Sequence, residues 1–480
     1  CSYNLKHEQD GYYFYDEINR NGELPPSTAF VFISADTTAD LVQSIVELQP
    51  DDFLAKPFTV KELDRRLTRI LSRKRALQNI YWCIEKKQFP KALSEVEIFL
   101  SEPKNSEFFP LALKIKGEIL QACGQYSQAK VFYQAILNVQ KFTWAQLGLV
   151  KTHLFLNEDE AAEKLVLRLA FKPESQLAAY DLLMSLQIKQ GDFDTALECV
   201  LMASEISPRN IRRHKTALDL SRITHDYHIQ FEAAKKIVKF AKNSIHDMPE
   251  HYLNVARAGI DYAMTADEEQ TAALVKQANE YIRQLRQAFP KADMQDQINV
   301  INARMLYLAD EKDNAKSLLE QLDDENWENE SIEALLDKAK AFHEIGLHAR
   351  SQEMLLEIAR RCDENDQSSG IFLHYIEQEK VEKGRIKLSS KELNNSGVQR
   401  FQEGDIDSAF HTFVDAFTLM PKNSAIALNL LQVLTIKQLH CDEAYKNTIQ
   451  RCVKTVESGV LNDEQENRYT KIRELLDDIA

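Results

Sequence analysis

The sequence has little of what interrupts a helix. Its 480 residues include only 13 Gly and 12 Pro, while Ala, Leu, Glu, Lys and Gln are abundant, which favours helix. Cysteine is sparse and unpaired. Cys1, Cys83, Cys123, Cys199, Cys362, Cys441 and Cys452 form no CxxC pair and fit no zinc spacing, so they read as free thiols in a reducing cytoplasm. No run reaches the roughly 18 apolar residues needed to cross a bilayer. An excess of basic residues is missing too. The net charge is -15 and the pI about 5.4, a balance that repels phosphates and disfavours nucleic acid and anionic membranes as ligands. P-loop, GxSxG, HExxH and dinucleotide-binding motifs are absent. His225 and His228 stand three apart with no third ligand near them in sequence, and read as a solvated pair rather than a metal site. No catalytic residue, metal or cofactor is therefore expected, and the chain does not read as an enzyme.

What is present is enough apolar material, 44%, for several domains or an extended repeat array. The first 75 residues alternate strand and helix. Ala29–Ile33 is a continuous β-branched and aromatic run, as for a strand buried on both faces. Leu41, Val42, Ile45, Val46 and Leu48 follow at helical spacing. Asp52–Ala55 is a second short strand. Thr59 and Glu62 form a capping box ahead of a stripe of Leu63, Leu67, Ile70 and Leu71. Strand, helix, strand, helix implies a parallel sheet with crossover connections. Lys61, Arg65, Arg66, Arg69, Arg73, Lys74 and Arg75 read as the solvated face of the last helix.

These residues resemble a family. "VFISAD" (31–36) and "DDFLAKPF" (51–58) look like the last two strands of a bacterial response-regulator receiver, a flavodoxin-like α/β fold. "CSYNL" (1–5) and "DGYYFYDEI" (10–18) look like its third strand and the helix that follows. The resemblance implies that Ser34 and Lys56 would hold phosphoryl oxygens, that Phe53 is the aromatic switch, and that the Lys56-Pro57 bond is cis. It also implies a departure, because Ser2 stands where the phosphoaccepting Asp belongs, and a hydroxyl cannot form the acyl phosphate. The acidic pair that holds Mg²⁺ would lie upstream of Cys1. Mg²⁺ is implied only if such an upstream half exists. The start at Cys1 is read as a sign of upstream sequence rather than as a lipid-bearing mature N-terminus.

From residue 76 the chain repeats. Gly191, Ala196, Val200, Ala203 and Pro208 recur at identical separations as Gly404, Ala409, Phe413, Ala416 and Pro421. Gly117, Gly124, Ala129 and Tyr133 form a third set, and Gly397 and Gly404 repeat its first spacing. This resembles the tetratricopeptide repeat (TPR), a helix-turn-helix of about 34 residues. Weaker units centre on Phe89/Ala92, Ala161/Ala162, Ala233, Ala315 and Gly346, giving about eight to ten helix pairs in all. The Ala and aromatic positions are core. The family's binding face is the first helix of each unit, here Ala178, Asp181, Ser185, Ile188 and Lys189, and again Lys391, Asn394, Val398, Phe401 and Gln402. The Lys/Asn/Arg clamp of chaperone-binding members is not found.

The expected architecture is mostly α: a TPR-type α-solenoid preceded by a partial receiver-like module. Residues 1–75 form that module, 76–361 the repeats, 362–395 a looser hinge, and 396–480 a last repeat with capping helices. The resemblances imply a non-catalytic adaptor of a bacterial two-component system. Its partners would be proteins: a histidine kinase, another response regulator or an unknown TPR ligand. The oligomeric state is left open. The alternatives are a phosphorylated regulator with the repeats as output, or a purely structural scaffold.

Overall fold

The computed structural model describes residues 11–242, 244–322, 327, 330–362, 367–438, 442, 445–459 and 461–477. Ser2, Cys1 and the expected strand 1–5 lie outside the described residues. The chain divides into two compact units, one of Cys1–His214 with Phe240–Asp247, the other of Lys215–Lys239 with Met248–Ala480. The division falls inside a helix, between His214 and Lys215.

The first unit opens with α1 (Gly11–Arg20), β1 (Val31–Ser34), α2 (Ala39–Glu47), β2 (Asp52–Ala55) and α3 (Val60–Ala76). β1 and β2 run parallel, with Val31 opposite Asp52 and Ser34 opposite Ala55. The α2 crossover makes this possible. Burial of β1 follows the period of two rather than covering both faces: Phe32 and Ser34 are buried while Val31 and Ile33 are half-buried. Thr59 caps α3 by accepting from the Glu62 amide, but the Glu62 carboxylate accepts from Arg66. The expected capping box is therefore half made. Nor is the basic face of α3 simply solvated, since Arg66 pairs with Asp52, and Arg73 and Lys74 with Asp51. These pairs tie α3 to the start of β2. The Lys56-Pro57 bond is cis.

No linker follows. α3 reaches Ala76, Leu77 is fully buried, and α4 (Gln78–Glu85) begins at once, with Leu77, Ile80 and Val96 in one core. α4 pairs with α5 (Phe89–Ser101). α6 (Phe109–Ala122) and α7 (Tyr126–Val139), α8 (Thr143–Phe155) and α9 (Asp159–Ala170), and α10 (Gln176–Gln190) and α11 (Phe193–Ile206) form further hairpins. α12 (Ile211–Ile223) contains the division, and α13 (Tyr227–Ala241) follows.

In the second unit the hairpins are α14 (Pro249–Ala263) with α15 (Glu268–Ala288), α16 (Gln295–Leu308) with α17 (Lys312–Glu320), α18 (Ile332–Glu344) with α19 (His348–Arg361), α21 (Ser390–Gln402) with α22 (Ile406–Leu419), and α23 (Ser424–Ile436) with α24 (Lys446–Ser458). α25 (Asp463–Asp477) packs on α23. The segment 362–395, expected to be loose, instead carries the 19-residue α20 (Gln367–Arg385), whose Ile371, Tyr375 and Ile376 are buried, and the start of α21.

One backbone device recurs at the hairpin turns. Lys87, Gly124, Asn157, Gly191, His225, Asp310, Gly346 and Gly404 all have positive φ. In each case the next amide donates to the carbonyl five residues back, from Gln88 to Cys83 through to Asp405 to Arg400. This is the six-to-one bond of a Schellman cap, which satisfies an orphan carbonyl and reverses the chain. Half of these residues are not glycine, although the left-handed region costs an L-residue about 1–2 kcal/mol. The packing of the two helices therefore holds the turn. Where helices cross, side chains vanish: Ala129, Ala196 and Ala409 are fully buried. A Cβ on Gly117 would stand 2.5 Å from Tyr133 Oη, and one on Gly397 2.6 Å from the Phe413 ring. The interiors close-pack around these aromatics.

Candidate functional site

Three places bring charged or reactive side chains together. The first is the C-terminal edge of β1 and β2. The Lys56 amide donates to the Ser34 carbonyl at 2.7 Å, so both strand ends meet. Ser34 is buried, and its hydroxyl accepts from the Asp36 amide at 3.0 Å. Lys56 is exposed and Phe53 half-buried. The edge thus brings the Ser34 and Lys56 backbones together, with the Ser34 hydroxyl engaged in the local turn, while Phe53 lies further back along β2, opposite Phe32.

The second place lies on the repeats of the first unit, where α2 is seated against the residues that follow α11. The Arg213 guanidinium is almost completely buried and donates to both oxygens of Glu47, at 2.8 and 3.0 Å, and to both oxygens of Asp181, at 2.7 and 2.8 Å. Asn210 Nδ2 donates to Glu47 at 2.7 Å, and Ser207 Oγ lies 3.3 Å from Ser44 Oγ. At the other end Tyr13 donates to the Phe240 carbonyl at 2.6 Å and its ring meets His246 edge-on. Burial would weaken the Arg213 charge, but Asp181 and Glu47 outweigh it and raise its pKa. Asp181, expected on a free binding face, is therefore already engaged. Ser185 bonds back to the Asp181 carbonyl within its own helix. Lys189 spans to Asn157 and Asp159 at 2.8 Å.

The third place is the interior of the second unit. Arg304 is 2% exposed and donates to Asp261, Asp337 and Glu344 at 2.7–2.8 Å. Lys340 also reaches Asp261, at 2.7 Å. Arg222 grips Glu333 with two nitrogens and Asp219 with one. Burial would raise the carboxyls throughout, and the partners decide the outcome. Lys340 and Arg304 hold Asp261 well below the ordinary range. Lys383, Lys340 and His225 bring Glu379 down to about 2. For Asp219 burial prevails, helped by Glu333, and lifts the carboxyl to about 7 despite Arg222. Burial and Lys383 lower His343 to about 4.

His225 lines this interior and is not the solvated residue the sequence suggested. It is buried, with Glu382 and Gln378 at 3.0 and 2.9 Å from Nε2. His228 meets Tyr262 edge-on instead. Among the described residues no group of three or more His, Cys, Asp or Glu is arranged to hold a metal. The cavity at the centre measures about 60 Å³, room for a water or two but far below the ~300 Å³ of a small-molecule site. Its lining is a network of buried charges, among them Asp261, Arg304, Lys340 and Glu344. A more open cleft of about 610 Å³ lies between α24 and α25, lined by Ile449, Val453, Tyr469 and Leu476 with Lys454, Glu457 and Arg473.

The other expected binding residues divide. Lys391 is taken up by the Leu308 carbonyl and Asp310. Phe401 is partly buried and packs against the core of Phe413 and Leu431. Asn394 is exposed. The described cysteines are free, and burial pushes Cys199 up to about 11 and Cys452 up to about 12, which leaves these two unreactive. Among the described residues no helix is long and apolar enough to cross a membrane. Sequence reasoning missed Arg213, Glu47, Arg304 and Asp337. The one signal available was charged residues at helix positions whose period calls for core, such as Arg304 between Ile301 and Leu308.

No protein-family profile matches the chain, and no curated protein matches it. Among solved structures the chain is similar to the APC/C hetero-tetramer Cut9-Hcn1, at 13% identity over 84% of this chain and 89% of that one, with a TM-score of 0.29. It is also similar to a tetratricopeptide repeat protein from Parabacteroides merdae, at 11% identity over 64% of this chain and 99% of that one, with a TM-score of 0.28. The hairpins, with their left-handed turns and Ala and Gly crossings, form an α-helical repeat array.

Proposed function

We propose that the chain is a non-catalytic protein-binding scaffold in which TPR-type hairpins present docking surfaces and the N-terminal α/β module supplies a signalling input. The observation that carries this is the seating of α2 on Ser207, Asn210 and Arg213: this surface already binds a helix of the same chain through matched charge. The reading gives the interior of the second unit a structural role and needs no cofactor. The finer part, an adaptor in a bacterial two-component system acting on a histidine kinase or another regulator, is supported by the receiver-like segments 31–36 and 51–58 and by the backbone hydrogen bond that sets Lys56 beside Ser34.

Two measurements test the two parts. Immobilised full-length chain should retain a protein from cell extract in stoichiometric amount, and retention of nothing beyond a bare-resin control sinks the scaffold reading. Acetyl phosphate with Mg²⁺ should leave the chain unmodified by intact mass, because Ser2 cannot form an acyl phosphate. A hydroxylamine-sensitive gain of one phosphate would make the module a working receiver and favour the phosphorylated-regulator alternative.

A further inference from the structure

The contact between α2 and the repeats of the first unit is built unlike the packing elsewhere in that unit. The hairpins close on Ala, Gly and aromatic rings. At its Glu47 end, α2 is held by a carboxylate gripped by three nitrogens, two from Arg213 and one from Asn210. Val46, the neighbouring residue on the same helix, is 63% exposed. A polar junction of this kind is characteristic of contacts that open and re-form.

The receiving surface is also built without α2. Arg213 keeps both hydrogen bonds to Asp181 when Glu47 is left out of account, so its guanidinium stays aimed and its charge partly neutralised. Asn210 is fixed by the Arg212 amide, which donates to its side-chain oxygen at 3.2 Å. This leaves its nitrogen pointed at the carboxylate. Departure of α2 would uncover a preformed fork of donors matched to a carboxylate, with the small Ser207 beside it to admit a helix backbone closely.

We infer that the Ser207–Asn210–Arg213 surface is a docking site for a partner helix that carries an acidic side chain, and that α2 with Glu47 fills this site in cis until such a helix displaces it. The inference rests on the scaffold reading above and adds the chemistry of the ligand. Binding by the repeats and release of the α/β module then become one event: a partner that takes Arg213 frees α2, and whatever holds the module elsewhere frees Arg213. The energetic basis is exchange, since one carboxylate replaces another on the same fork and Arg213 is never left unpaired.

The probe is a fluorescein-labelled peptide of residues 38–49, which carries the α2 helix and its carboxylate. It is titrated by anisotropy against the full chain, wild type and Glu47→Lys. The wild type should bind it weakly, because α2 occupies the site. Glu47→Lys should bind at least tenfold more tightly, and a Glu47→Gln peptide at least tenfold more weakly than the native one. Adding Asn210→Ala to the Glu47→Lys chain should remove most of the gain; this variant keeps the Arg213–Asp181 pair, and its fold is checked by circular dichroism. Hydrogen exchange reads the module directly, and residues 39–48 should lose protection in Glu47→Lys. If those residues stay protected, the carboxylate does not hold α2 and the inference fails. It fails equally if the peptide binds both chains alike or ignores the Asn210 change. A protein captured from extract in equal amount by wild type and Glu47→Lys would sink the exchange while leaving the scaffold reading standing.

Discussion

The two units solve the same packing problem with different chemistry. In the first, hairpins close on small and aromatic side chains: Gly117 and Gly148 both face the Tyr133 ring, and Ala129, Ala162 and Ala196 sit at crossings. In the second, first helices of successive hairpins turn charged residues toward one another, and Arg304, Asp261, Asp337 and Lys340 are as buried as the leucines around them. Apolar packing tolerates small adjustments of position. A buried ion network does not, because removing one member leaves the others charged and unpaired. The interior of 249–345 therefore adds mutual neutralisation to the close packing that both units share.

The sharpest way to break this contrast is Arg304→Met. It leaves Asp261, Asp337 and Glu344 short of a partner, and the loss should be about 3–5 kcal/mol. Hydrogen exchange should show 249–345 unprotected while 109–206 is unaffected. Unchanged protection of 249–345 would show that the network contributes little. A second test uses acidity. The Asp219 carboxyl, lifted to about 7, holds a proton in the folded state that it loses near pH 4 when unfolded. Its contribution to stability is therefore full below about pH 4 and is lost as pH rises through about 7. Asp219→Asn cannot ionise, so it should gain on the wild type between pH 5 and 8, by an amount on the order of 3 kcal/mol. Urea melts at the two pH values read this directly, and parallel shifts of both chains would count against it. In the first unit, Gly117→Ala should cost about 1–3 kcal/mol by crowding Tyr133, with protection lost near 112–150 and no pH dependence. The smallest effect belongs to the turns: Lys87→Gly should move the melting midpoint very little, since relief of the left-handed strain is offset by a freer unfolded chain.

How much of this was legible in the sequence depends on which interaction placed each residue. The hairpins anchored by Gly191 and Gly404 could be read directly, because both residues stand at left-handed turns and Ala196 and Ala409 five later are fully buried. Units whose turn residue is Lys87, Asn157 or Asp310 lacked that marker and looked diverged, though their turns have the same geometry. α20 was hidden by the polar run before it, with its buried Tyr375 and Ile376 spread among charges that pair inside the fold. The candidate site was least legible. Asp181 was singled out for its position on a first helix, but its partner Arg213 stands 32 residues away, and Glu47 stands 166 residues from Arg213. No local pattern announces that three such charges meet.

The turn residues carry a consequence for inheritance. Lys87, Asn157, His225 and Asp310 hold backbone angles that glycine holds elsewhere in the same chain, because each is trapped between two packed helices. A turn maintained from outside can lose its hallmark letter without losing its form. Successive generations can then rewrite these corners freely, one at a time, and the hairpin survives each edit. The crossings are the opposite case: at Ala129, Ala196 and Ala409 the side chain is fully buried, and a larger one has to be accommodated by its neighbours.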